Sequence, residues 1–186
     1  MRAVMLAHEE DFEGWREAAR ALALASVPPS EVTWSVGDAP PDLFGEEAVM
    51  PTEAPAFSVP RPFVDLARTA ICHSDPERFS LLYALLLRVR ANPHALEGKA
   101  DPLVRRIEAM AKEVRRDMHK MHAFVRFREV AEPDGGTRYV AWFEPDHHIV
   151  RSNAGFFVRR FNTMRWSILT PELSIHWDGE TLTEGP

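Results

Sequence analysis

The spacing of apolar residues changes along the chain, and each change marks an element. Val4 to Ala7 reads as a short strand. Phe12, Trp15, Ala19, Leu22 and Ser26 then recur at helical spacing behind Asp11, a residue suited to cap a helix, and Pro28-Pro29 stops the run. Val32, Trp34 and Val36 alternate with Thr33 and Ser35, as a strand requires. This β-α-β opening invites a dinucleotide site. The turn after its first strand, His8-Glu9-Glu10-Asp11, is acidic and lacks glycine, so it would repel a pyrophosphate.

Residues 37–62 hold six prolines and a scatter of acids, which predicts an irregular connection. Helical character returns over 63–72. Asp75-Pro76 gives a second cap signal, and Phe79 to Arg90 is apolar almost all round, which places that helix centrally. The same signal recurs at Asp101-Pro102. Leu103, Ile107, Met110, Val114 and Met118 follow at three- and four-residue spacing, with Arg105, Arg106, Lys112, Arg115 and Arg116 on the other faces.

The period then becomes two. Phe124 to Arg128 and Tyr139 to Phe143 read as strands joined by a turn at Pro133-Asp134-Gly135-Gly136. Residues 149–164 read as a helix, and 165–169 and 173–177 as two more strands. The expected fold is α+β: an N-terminal β-α-β piece (1–36), the proline-rich connection (37–62), then a helical middle and a small antiparallel sheet packed with helices (63–186), all one domain.

Composition narrows the function classes. The chain has 186 residues, five Trp, eleven Phe and one cysteine, Cys72. A lone thiol excludes an internal disulfide and argues against an iron–sulfur cluster or multi-thiolate zinc site held by this chain alone. No apolar stretch is long enough to span a bilayer, and the N-terminus turns acidic too early for an export signal, so a cytoplasmic location with no membrane contact is expected. The net charge of −6 conceals an asymmetry: residues 1–60 carry three basic and eleven acidic side chains, residues 101–170 thirteen and nine. A local basic face can therefore meet phosphates despite the overall sign.

Two groups of residues carry candidate chemistry. If the two period-two strands pair, His119 and His122 approach Glu144, Asp146, His147 and His148. Imidazoles and carboxylates serve as acids and bases near neutral pH, and also as metal ligands. The spacing matches no zinc signature, so His119, His122, Asp146, His147 and His148 are acid–base candidates and no metal is assigned. The competing roles are structural: for His119, complementing a helix dipole and nothing more, and for Asp146, capping the next helix. The second group is Arg126, Arg128, Arg160, Arg165 and Trp166. Arginines pair with phosphates and aromatics stack on bases, and Arg126 and Arg128 alternate onto one strand face. Against this, Trp166 fits a core position, and the arginines fit ion pairs with neighbouring acids.

The runs Asp101-Pro102-Leu103-Val104-Arg105-Arg106, Met118-His119-Lys120-Met121-His122-Ala123-Phe124-Val125-Arg126-Phe127, Tyr139-Val140-Ala141-Trp142-Phe143-Glu144-Pro145-Asp146-His147-His148 and Arg165-Trp166-Ser167-Ile168-Leu169-Thr170-Pro171 resemble a bacterial family described as DNA metabolism proteins, built on a domain of unknown function. The resemblance runs from about residue 60 to the end. It implies work beside a radical-SAM protein acting in DNA repair or modification, or fusion ahead of a uracil-DNA-glycosylase-like domain. The chain ends at Gly185-Pro186, about where such a glycosylase would begin, so an excised module or a standalone form is expected. Any iron–sulfur or SAM chemistry would then belong to the partner, with no cofactor in this chain. Three functions are thus expected in order: a DNA-binding accessory domain, an enzyme acting on a nucleobase or nucleotide, and a protein-interaction module using the acidic residues 37–60.

Overall fold

A computed structural model describes residues 1–37, the backbone of 46–47, and 57–186. The proline-rich connection therefore lies mostly outside the described residues, as does the acidic docking surface expected there. By backbone contact the chain divides into two compact units, 1–114 and 115–186.

The first unit opens with β1 (Arg2–Leu6), α1 (Phe12–Leu24) and β2 (Val32–Val36). β1 pairs in parallel with β2, and on its other edge with the short β3 (Glu46–Glu47). The acidic turn after β1 has a structural use. Asp11 Oδ1 accepts from the Gly14 amide at 2.9 Å and Oδ2 from the Ala7 amide at 3.1 Å, so the carboxylate caps α1 and pins the turn. Two helices follow, α2 (Arg61–Ala70) and α3 (Arg78–Ala91). As its composition predicts, α3 is central: Phe79, Leu82, Tyr83, Leu85, Leu86 and Val89 are all buried. Trp34 gathers Trp15, Phe79 and Tyr83 around it at centroid separations of 6.1–6.4 Å. The Tyr83 hydroxyl donates to Val27 O at 2.6 Å, and burial pushes its pKa up to about 12.

The two Asp-Pro signals behave differently. Asp101 Oδ1 accepts from the Leu103 amide at 2.8 Å, and α4 (Pro102–Phe124) begins at the proline. Asp75 does not start a helix at Pro76. It accepts from the Glu77 amide at 2.9 Å and pairs with Arg106 at 2.9 Å, and α3 begins only at Arg78. Its carboxyl nonetheless sits below the usual range, because these bonds outweigh the effect of burial.

The second unit contains the last turns of α4, the hairpin β4 (Arg128–Ala131) and β5 (Thr137–Trp142), helix α5 (Val150–Arg160), and strands β6 (Trp166–Leu169), β7 (Ser174–Trp177) and β8 (Leu182–Gly185). The sheet order is β4-β5-β6-β7-β8. The chain is thus α+β throughout, with three departures from expectation. The segment from Phe124 to Phe127 is not strand. Met121 and Val125, buried one helical turn apart, carry helical packing to the end of α4, and Phe127 then packs on Phe161 at 5.2 Å and Trp166 at 6.2 Å. The β5–β6 pair is parallel within an otherwise antiparallel sheet, since α5 crosses over between them. Finally, β8 was not expected, because an edge strand with exposed side chains shows no apolar alternation. It is created by pairing with β7 across a turn in which Asp178 Oδ1 accepts the Glu180 and Thr181 amides and Gly179 takes φ +103°. No helix among the described residues is long and apolar enough to cross a membrane.

Candidate nucleic-acid interface

The two histidine-bearing stretches of the second unit do meet. Lys120 Nζ lies 2.9 Å from Asp146 Oδ2, and the His147 amide donates to Asp117 Oδ2 at 2.9 Å. The imidazoles of His122 and His148, however, go to separate partners. His119 is exposed on α4. His122 stacks on Phe156 at 3.8 Å and bonds Asn153 Oδ1 at 2.8 Å, while Asn153 turns its Nδ2 to Met121 Sδ. Asn153 is buried, so His122 seals the α4–α5 contact by satisfying it. His148 Nδ1 lies 3.1 Å from Glu172. Asp146 does not cap α5, whose first turn is preceded by Ile149; it serves the ion pair with Lys120, which holds its carboxyl below the usual range.

The carboxylate that the sequence reading missed is Asp117. It is 2% exposed, and its Oδ1 has no partner among the described residues. Burial raises its pKa, against the opposing pull of the His147 amide, and the charge of Asp146 raises it further. The sign follows from linkage. A folded-state pKa above the unfolded value of about 3.9 means that the folded protein holds the proton more tightly, so stability falls as pH rises through that interval. Asp117→Asn keeps an oxygen for the His147 amide and removes this dependence. Urea unfolding from pH 4 to pH 7 should show the variant gaining on the parent as pH rises. A constant difference across that range would remove the buried charge from the account.

The strand register sorts the sheet into two faces, because directly paired residues share a face and successive residues alternate. Ala141, Trp166, Ile168 and Ile175 lie on one side and are all buried. That side packs on α5: Phe157 meets Trp166 at 6.2 Å, and Arg151 bonds Glu184 at 2.8 Å. Arg128, Val140, Ser167 and His176 line up across the other side, with Val130, Arg138, Trp142 and Leu169 beside them. Its central part is internally satisfied. Glu132 holds Arg138 at 2.7 Å, Arg138 reaches Ser167 Oγ at 3.3 Å, and Ser167 bonds His176 Nδ1 at 2.8 Å. Its β4–β5 end is open. Trp142 is 58% exposed and Val130 47%, and Phe124, at the end of α4, is 67% exposed. Phe124, Arg126, Arg128, Val130, Val140, Ala141, Trp142 and Leu169 line a cleft of about 560 Å³ there.

The five nucleic-acid candidates separate accordingly. Arg128 belongs to this open end. Arg126 borders it from the connection after α4 rather than from a strand, with Nη1 donating to Ala123 O at 2.7 Å and Val125 O at 3.0 Å. The two therefore do not alternate along one strand. Arg160 is exposed at the end of α5, 5.3 Å from the Phe161 ring. Arg165 pairs with Glu132 at 3.0 Å and Asp134 at 2.9 Å. Trp166 has no exposed surface, so no base can stack on it. The residue that sequence reasoning passed over is Trp142. Its signal was present: it shares the period-two phase of Val140, opposite to the buried Ala141.

The model of a family described as a domain of unknown function, DUF4130, matches residues 76–181. No curated protein and no solved structure matches the chain.

Proposed function

Since the chain belongs to the DUF4130 family, whose description carries no activity, we propose that it is a DNA-binding accessory domain that works with a DNA repair or modification enzyme. The observation that carries this reading is the open end of the five-stranded sheet. An exposed tryptophan, an exposed phenylalanine and two exposed arginines border one cleft. Aromatic platforms with cationic edges are how strand-binding sheets hold bases and phosphates together. The partner enzyme, a radical-SAM protein or a uracil-DNA-glycosylase-like protein, is proposed from the resemblance of the motif runs and would supply any iron–sulfur or SAM chemistry. The acid–base reading has less support, because His122 and His148 are each held by a different neighbour and His119 faces solvent.

Titration of a labelled oligonucleotide by fluorescence anisotropy across a salt series tests the proposal. Affinity should fall steeply with salt. Arg126→Ala with Arg128→Ala should flatten the slope of log K against log salt by about 1.4, roughly 0.7 for each lost phosphate contact on a single strand. Absence of binding at low salt, with and without a candidate partner, would overturn it.

A further inference from the structure

We infer that the cleft takes an unpaired base, so that the protein selects single-stranded or locally opened DNA over intact duplex; the inference rests on the DNA-binding reading above. Trp142 has no aromatic neighbour stacked on it among the described residues, and its indole N–H donates to Glu144 Oε1 at 3.0 Å. The ring is therefore presented to solvent and held in orientation at the same time. That pre-organisation spares the ordering cost of a free rotor on binding. Val130, Val140 and Leu169 give the cleft an apolar lining, and its volume of about 560 Å³ falls in the range of ~300–1,000 Å³ usual for small-ligand sites.

The charges give the cleft a direction. Glu144 is exposed beside Trp142 and disfavours phosphate there. Arg126 and Arg128 are exposed along the same lining and favour it. A base stacked on Trp142 with its neighbouring phosphates on the arginines satisfies both. Intact duplex does not: each base already has both faces covered, and the backbone alone would meet an apolar shelf that it cannot use. A flipped or single-stranded nucleotide exposes the π-face that the shelf fits.

The test compares a labelled single strand of about 20 nucleotides, its duplex, the duplex with one unpaired base, and the matching RNA strand, against the full chain and its Trp142→Ala, Trp142→Phe and Phe124→Ala variants. The single strand should bind at least about tenfold tighter than the duplex, with the one-base bulge between them. Trp142→Ala should cost the single strand about tenfold and leave the duplex within about twofold, while Trp142→Phe keeps most of the affinity. Equal binding of strand and duplex, unmoved by Trp142→Ala, overturns the unpaired-base inference and leaves DNA binding standing. Tighter binding of RNA than of DNA keeps base capture and overturns the assignment to DNA. No binding of any nucleic acid, with self-association that Trp142→Ala abolishes, would put a second copy of the chain on this face and overturn both.

Discussion

Arg78→Leu is expected to destabilise the first unit by about 3 kcal/mol, read as a fall in urea stability at neutral pH. Arg78 is 3% exposed, yet its guanidinium serves three separate stretches of chain. Nε donates to Ile71 O at 2.8 Å, Nη1 to Asp75 O at 3.2 Å, and Nη2 to Glu9 O at 3.0 Å. It also pairs with the Glu9 carboxylate and lies 4.1 Å over the Phe79 ring. A leucine fills part of the volume but leaves the buried Ile71 carbonyl without this donor, whereas the Asp75 carbonyl keeps the residue-78 backbone amide at 3.2 Å, and an unmade buried bond costs more than a made one contributes. The Glu9 side chain is 44% exposed and can rehydrate, which keeps the cost at the low end of the ~3–5 kcal/mol seen when a buried ion pair is broken. Arg78→Lys should recover little, since an ammonium cannot reproduce the planar fork that reaches three carbonyls. Full recovery with lysine would mean that charge alone, and not the hydrogen-bond geometry, holds the site.

The contrast between Arg78 and Asp11 shows what was legible in the sequence. Asp11 acts on residues within four positions of itself, so its capping role could be read from local order. Arg78 binds Glu9, 69 positions away, and nothing local distinguishes it from a solvent-facing arginine at a helix start. The same division runs through the candidate site. The meeting of the Lys120 and Asp146 stretches follows from a hairpin and was legible. The separation of the His122 and His148 imidazoles was not, because it depends on Asn153 and Phe156, on α5, holding the first ring and Glu172, beyond β6, holding the second. The boundary between α4 and β4 was obscured for a further reason. Residues 121–127 satisfy a helical period through Met121 and Val125 and a strand period through Val125 and Phe127, and only packing decides between them. Assigning the arginines to one strand inherited that ambiguity. The phase of Trp142 was readable from Val140 and Ala141, but its significance depends on knowing which face α5 covers.

Trp166→Ala should be the most damaging single change in the second unit, at about 3–5 kcal/mol, whereas Trp142→Ala, in the neighbouring strand, should shift stability by less than about 1 kcal/mol. The two tryptophans lie on opposite faces of one sheet. Trp166 touches Phe127 and Phe157 at 6.2 Å and has no exposed surface, so its removal opens a cavity where β6, α5 and the end of α4 converge. Trp142 has more than half its surface in water and leaves no cavity behind. Trp166→Phe refines the test. It retains most of the aromatic volume and deletes an indole N–H that has no partner among the described residues, so its cost should be well under half that of alanine. Urea unfolding of the three variants, followed by far-UV circular dichroism, checks the order. Were Trp142→Ala as destabilising as Trp166→Ala, the open face would be packing surface, and the sheet would have no side left for a ligand. The order proposed here lets one face hold the unit together while the other remains available for binding, which is why the two tryptophans should separate stability from affinity so cleanly.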